Sequence, residues 1–299
     1  MDRHFERRYH TNQQGRAVES ARKQEKRTPI RLMCISPRFL ISSSVPRKIL
    51  GVIPARYASS RFPGKALARI GSKTMLEHVY ERVSMARYLS SVVIATDDER
   101  IFDEARRFGA LARMTRADHL SGTDRVAEVA SARPDASLIV NVQGDEPLID
   151  PAAIDAAILP MIDDDDDIPM ATLSKRIEDP REITDPNVVK VVTDRSGLAL
   201  YFSRSSIPHV RADARAATVF FKHIGLYVYR RDFLLGYSAL PVGPLEQAER
   251  LEQLRALENG HSIRVVETEY ESLGVDTPAD LERVSQLFEA SLESVKRNG

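Results

Sequence analysis

Ile49-Leu50-Gly51-Val52-Ile53 runs straight into Pro54-Ala55-Arg56-Tyr57-Ala58-Ser59-Ser60-Arg61-Phe62-Pro63-Gly64-Lys65. The apolar run predicts a buried β-strand. The loop that follows carries three cations, stiffened by two prolines, at the strand's carboxyl end. That edge is where open α/β sheets bind ligands. Arg56, Arg61 and Lys65 present dense positive charge, whose natural partner is a polyphosphate. A solvated basic loop is the bland alternative. The position after a first strand, the prolines and Gly64 beside Lys65 favour the phosphate reading.

Outward from this loop, short apolar runs alternate with helical patterns. Strands are expected near 49–54, 91–96, 137–142, 168–174, 187–193, 198–203, 223–229 and 263–267. Helices are expected near 75–88, 98–108, 124–132, 151–161, 245–258 and 278–292. The β-α-β-α order of the first half predicts an α/β fold with a largely parallel, mixed sheet of Rossmann-like type. Helix starts carry their own signals. Thr74-Met75-Leu76-Glu77 reads as a capping box. Asp97 or Asp98 caps a helix stopped by Gly109. Thr277 caps a last helix with Pro278 at its first position. Val188–Val192 and Leu198–Phe202 are separated only by Asp194-Arg195-Ser196-Gly197, a hairpin signal. An antiparallel insertion is therefore expected around 185–230.

The chain has 299 residues, 42% of them apolar, and no apolar run approaches a membrane span. Cys34 is its only cysteine, which excludes an internal disulfide and a thiolate metal cluster and suits the cytoplasm. Lys plus Arg and Asp plus Glu each number 43, yet residues 1–46 carry +6 and the remainder −6. A body of net negative charge argues against binding nucleic acid. Residues 1–46 are Arg-, Gln- and Ser-rich without sustained periodicity and read as a disordered N-terminal extension. Met33 as an alternative start is a second reading. A targeting peptide fits less well, because Asp2, Glu6, Glu19 and Glu25 interrupt it. The nucleotide-handling domain is expected over 47–292, with a short tail at 293–299. The five aspartates Asp163 to Asp167 read as a solvated turn.

Val140-Asn141-Val142-Gln143-Gly144-Asp145-Glu146-Pro147 ends another apolar strand. Asp145 thus leaves the sheet at the same edge as the Arg56–Lys65 loop. A carboxylate beside a triphosphate serves to hold Mg²⁺, and Gly144 permits close backbone approach. Asp276 precedes the last helix; capping by Thr277 frees it for a metal. Thr115 to Arg125 opens a helix whose N-terminus, with Ser121, Gly122 and Thr123, can face a nucleotide. His223, Gly225 and Tyr227 share one face of a strand. Glu246, Glu249 and Gln253 share one helical face, which is either solvent or a polyol site.

These pieces together resemble the cytidylyltransferases that activate 3-deoxy-D-manno-octulosonic acid (Kdo). The likeness rests on IPARYASSRFPGK (53–65), ATDD (95–98), MTRADHLSGTDR (114–125), NVQGDEP (141–147), LYFSRSSIP (200–208), KHIGLYVYR (222–230), PLEQAERLEQLR (244–255) and GVDTPADLERV (274–284). It spans roughly Lys48 to Gln286. Gln247 and Asp124 are small departures. The resemblance implies CTP + Kdo → CMP-Kdo + diphosphate, in the service of lipopolysaccharide synthesis. It implies Mg²⁺ on Asp145 and Asp276, with Lys65 and Arg56 as the other catalytic groups. Ala55, Arg56, Ser59, Lys65, Arg116, Ser121, Gly122 and Thr123 would hold the nucleotide. Arg61, Gln143, His223, Tyr227, Glu246 and Glu249 would hold the sugar acid. It further implies a homodimer through the middle segment. Another sugar acid, such as a sialic acid, and a non-catalytic nucleotide-binding protein are the rival readings.

Overall fold

The computed structural model describes residues 48–58, 61–163, 168–211 and 218–298. The expected extension over 1–46 and most of the aspartate run lie outside them. In chain order the elements are β1 (Lys48–Ala55), β2 (Arg69–Ile70), β3 (Lys73–Thr74), α1 (Met75–Ser84), β4 (Ser91–Thr96), α2 (Glu99–Arg107), β5 (Leu111–Met114), α3 (Gly122–Ser131) and β6 (Ala136–Asn141). They continue with α4 (Pro151–Asp163), β7 (Met170–Arg176), α5 (Pro180–Thr184), β8 (Lys190–Thr193), β9 (Ala199–Ser203), β10 (Phe221–Arg230), α6 (Arg231–Tyr237), α7 (Pro244–Glu249), α8 (Leu254–Glu258), β11 (Ile263–Glu267) and α9 (Pro278–Asn298).

Apart from the small β2–β3 hairpin, the strands form one sheet in the order β11-β7-β10-β6-β1-β4-β5, with β8 on β10 and β9 on β8. β1 pairs in parallel with both β4 and β6, β4 with β5, and β7 with β11. Only β10 runs against its neighbours β6 and β7. The sheet is mixed and mostly parallel, as the sequence predicts. The β8–β9 hairpin forms where expected, its turn fixed by Asp194, whose carboxylate accepts from the Ser196 and Leu198 amides. The last strand of segment 185–230, β10, sits inside the main sheet rather than beside it.

The apolar alternation of the central strands feeds two cores. Ile49, Ile53, Ile94, Leu138 and Val140 meet Val79 and Val83 of α1, Ile101 of α2 and Ile154 and Ile158 of α4 on one face. Leu50, Val52, Val93 and Ile139 meet Val126 and Val129 of α3 and Leu234 of α6 on the other. Each fully buried Leu, Ile or Val contributes roughly 1.5–3 kcal/mol. Thr74 caps α1 by accepting from the Glu77 amide, Asp98 caps α2, and Thr277 accepts from the Asp280 amide at the start of α9.

Two differences from the sequence reading have clear causes. β5 is a short, half-exposed edge strand without an apolar run. The helix expected over 245–258 breaks into α7 and α8, because Arg250 adopts a left-handed conformation (φ 51°) that no glycine or proline announces.

Candidate functional site

β1 sends its crossovers to β4 on one side, while β6 lies on the other. The loops after Ala55 and Asn141 therefore part, and a crevice opens at the carboxyl edge between them. The basic loop is held in shape locally. The Gly64 amide donates to the Tyr57 carbonyl at 2.8 Å. Gly64 has φ +73°, and a Cβ there would lie 3.1 Å from the Tyr57 ring, so glycine alone fits. The Arg100 guanidinium covers the same ring. This turn delivers Lys65 to the start of a single 3₁₀ turn, Lys65–Leu67.

Lys65 Nζ donates to Asp145 Oδ2 at 2.5 Å, to Asp276 Oδ1 at 3.2 Å and to the Val275 carbonyl at 3.1 Å. Arg61 reaches the other oxygen of Asp276 at 2.9 Å. Two carboxylates distant in sequence thus converge on one ammonium. Burial lowers the Lys65 pKa, but the charge and hydrogen bonds of Asp145 and Asp276 outweigh it, and the net shift is upward. Gly144 sits where a Cβ would lie 2.8 Å from the Pro54 carbonyl; the close approach it permits is between the two loops themselves.

The crevice has a volume of about 430 Å³. Ala55, Arg56, Arg61, Lys65, Gly122, Thr123, Gln143, Asp145 and Tyr227 line it, all foreseen from sequence. Gln143 is oriented by donating to the Gly225 carbonyl at 3.2 Å. Asn141, Tyr229, Tyr237, Glu252 and Gln253 also line it. Asn141 and Gln253 are 2% and 4% exposed, and Asn141 Oδ1 and Gln253 Nε2 have no hydrogen-bond partner. Buried polar atoms of this kind await a ligand's groups. Glu252 accepts from Ser121 Oγ and Thr123 Oγ1, both at 3.2 Å. Burial raises its pKa despite nearby Arg255.

Other foreseen residues lie elsewhere. Ser59 is outside the described residues. Arg116 is exposed and pairs with Asp118 at 2.5 Å; it lines a separate depression with His119 and Glu128. Ser121 is spent on capping: its Oγ accepts from the Asp124 amide in a reciprocal capping box. His223 stands behind the crevice wall, 5.5 Å from the Tyr227 ring centre, and its Nε2 meets Thr172 Oγ1 at 2.9 Å. The ring keeps some exposed surface but is walled in by Phe202 and Tyr227; burial pushes its pKa down to about 3. Glu246 and Glu249 do not reach the crevice either. Glu246 forms a two-pronged pair with Arg255 at 2.6 and 2.8 Å. Glu249 accepts from Ser203 Oγ at 2.5 Å and the Arg204 amide at 2.9 Å. The left-handed break at Arg250 turns the face they share away and presents Glu252 and Gln253 instead. Asn141 was legible as the polar end of an apolar strand; Glu252 and Gln253 carried no signal without the break.

A cytidylyltransferase family model matches residues 50–263. A 3-deoxy-manno-octulosonate cytidylyltransferase of Solibacter usitatus is 71% identical over 85% of this chain and all of its own length. The chain belongs to the 3-deoxy-manno-octulosonate cytidylyltransferase family. Another 3-deoxy-manno-octulosonate cytidylyltransferase, from Syntrophotalea carbinolica, is 61% identical over 79% of this chain and 96% of its own length. A solved CMP:2-keto-3-deoxy-manno-octonic acid synthetase in complex with CTP superposes with a TM-score of 0.78 at 46% identity, covering 82% of this chain and 99% of that one. A cytidylyltransferase of Leptospira borgpetersenii, 17% identical with a TM-score of 0.56, shares the fold alone. Membership in the 3-deoxy-manno-octulosonate cytidylyltransferase family makes the chain a nucleotidyltransferase.

Proposed function

We propose that the crevice transfers CMP from CTP to the anomeric hydroxyl of Kdo. The convergence of Asp145 and Asp276 on Lys65, beside Arg61, is the observation that carries this reading. The hydroxyl oxygen forms a bond to the α-phosphorus, the α–β phosphoanhydride bond breaks, diphosphate leaves and the hydroxyl proton passes to solvent. Arg56 and Lys65 neutralise the triphosphate, with Ser59 beside them. Gly122 and Thr123 at the α3 N-terminus, with Ala55, border the nucleotide. Arg61 supplies a cation for the sugar acid's carboxylate. Gln143 and Tyr227, joined by Asn141, Glu252 and Gln253, face its hydroxyls, while His223 steadies Tyr227 from behind.

Asp145 and Asp276 offer the hard oxygen donors that suit Mg²⁺, and their convergence on one cation fits an ion completed by phosphate oxygens and water. When bound there, Mg²⁺ shields the phosphate charge from the incoming hydroxyl. Lys65 then turns from the carboxylates to the triphosphate. The same reading makes the enzyme a homodimer acting in the cytoplasm; among the described residues no helix is long and apolar enough to cross a membrane.

Diphosphate release, measured with CTP against UTP, ATP and GTP, and with Kdo against a sialic acid, tests the reading. Turnover is expected with CTP and Kdo, and near-absence with purine triphosphates. Equal rates with ATP, or a preference for the sialic acid, would defeat it.

A further inference from the structure

Asp145 follows β6, whereas Asp276 stands on the irregular segment between β11 and α9. No ladder of the sheet joins these segments. What joins them, apart from Lys65, is a set of bonds behind the acids. The Val275 amide donates to the Asp145 carbonyl at 2.8 Å. Glu146 Oε2 accepts from the Tyr270 hydroxyl at 2.9 Å, and Glu146 Oε1 accepts from Ser272 Oγ at 2.8 Å. Glu146, Tyr270 and Val275 are 7%, 8% and 0% exposed.

A buried carboxylate held only by hydroxyls is costly, and an apolar side chain would fill this turn at less cost. Its two oxygens do something an apolar group does not. They grip residues 270 and 272, which lie two apart on one side of an extended segment. A slip of one residue would remove both contacts at once. Glu146 therefore fixes the register of the segment that carries Asp276 against the turn that carries Asp145.

We propose that Glu146, with Tyr270 and Ser272, is a positioning clamp that sets the spacing of Asp145 and Asp276 for their shared divalent cation. The inference rests on the metal-holding role proposed above for those two aspartates. Residues that orient metal ligands typically change affinity by 10–100-fold.

The test is direct Mn²⁺ binding by electron paramagnetic resonance, with CTP present, in the full chain and in Tyr270→Phe, Glu146→Gln and Asp145→Asn. Metal-free CTP binding is measured in parallel by calorimetry. Tyr270→Phe and Glu146→Gln are each expected to weaken Mn²⁺ about tenfold, with metal-free CTP affinity unchanged. The double variant is expected to be no weaker than Glu146→Gln alone, because the two groups form one contact. Tyr270→Phe removes one hydroxyl with little change of volume, so it carries the test should Glu146→Gln not fold. Unchanged Mn²⁺ affinity in the folded variants, while Asp145→Asn loses it, would overturn the clamp and leave the metal role standing. Unchanged affinity in Asp145→Asn would overturn both. Loss of metal-free CTP affinity along with Mn²⁺ would also overturn the clamp, since a general distortion of the crevice would then explain the result.

Discussion

Two lysines of this molecule are pulled out of water in opposite ways. Lys65, with 16% of its side chain exposed, faces two carboxylates, and their charge leaves its pKa raised. Lys190 is fully buried and donates to three backbone carbonyls, of Asp185, Val188 and Arg204, at 2.8, 2.6 and 2.6 Å. Burial lowers its pKa, because no carboxylate touches it to offset the loss of water. All three protons of Lys190 are committed to fixed dipoles that pin the β8–β9 hairpin to its flanking loops. The partners of Lys65 are charges that another cation can claim. The first lysine is a peg; the second is a group waiting to be exchanged.

The harshest way to break this contrast is to remove the exchangeable charges. Asp145→Asn and Asp276→Asn are each expected to lower kcat/KM for CTP and Kdo by about a hundredfold, or roughly 3 kcal/mol of transition-state stabilisation. The double variant should be little worse than the worse single one. Steady-state kinetics decides, and near-normal turnover in either single variant would sink the assignment.

Lys190→Met should act on stability instead. Three buried carbonyls lose their donor, which costs about 2 kcal/mol. For a domain of this size that lowers the melting temperature by roughly 4–8 °C. Calorimetry showing no loss would mean water replaces the ammonium and the peg is dispensable.

Lys65→Ala should reverse the pattern. It should raise KM for CTP about tenfold, or roughly 1.4 kcal/mol, and leave the melting temperature nearly unchanged. A variant that melts early but binds CTP normally would make Lys65 a second peg.

His223 gives the smallest and most specific effect, as a buried base that has given up its charge. Its pKa falls from 6.5 to about 3 on folding. Between those values the unfolded chain binds more protons, so stability rises with pH across that window and is lost as pH falls through it. His223→Gln should flatten the dependence of melting temperature on pH between about 4 and 6.5. An unchanged slope would place the acid sensitivity in other groups.

Much of this was written locally in the chain. The apolar runs at 49–53, 91–96 and 138–140 specify central strands because both faces of a parallel sheet are buried. The acids Asp145 and Asp276 were legible because each leaves a short turn beside an element end, where a side chain has nowhere to go but the sheet edge. Glu246 and Glu249 were misread for a backbone reason. Helical spacing puts them on one face with Gln253 only if the helix continues, and Arg250 ends it in a conformation its side chain does not advertise. Arg116 was misread because local pairing won: Asp118, two residues on, captures its guanidinium. The unpartnered amide of Gln253 and the grip of Glu146 on Tyr270 are long-range facts, set by packing alone.

The reversed direction of β10 has a consequence of its own. Tyr227 pairs with Asn141 and Arg230 with Leu138, so the end of β10 that enters the sheet, not the end that leaves it, reaches the ligand-binding rim. The two halves of the crevice are then supplied by different kinds of connection. The CTP side hangs from loops that exit parallel strands and must return through a helix of fixed length. The acceptor side hangs from a connection that arrives, free of any crossover. A lineage can lengthen or rewrite that incoming connection without disturbing a single helix of the phosphate half, which makes the choice of acceptor the part of this scaffold most open to inheritance with change.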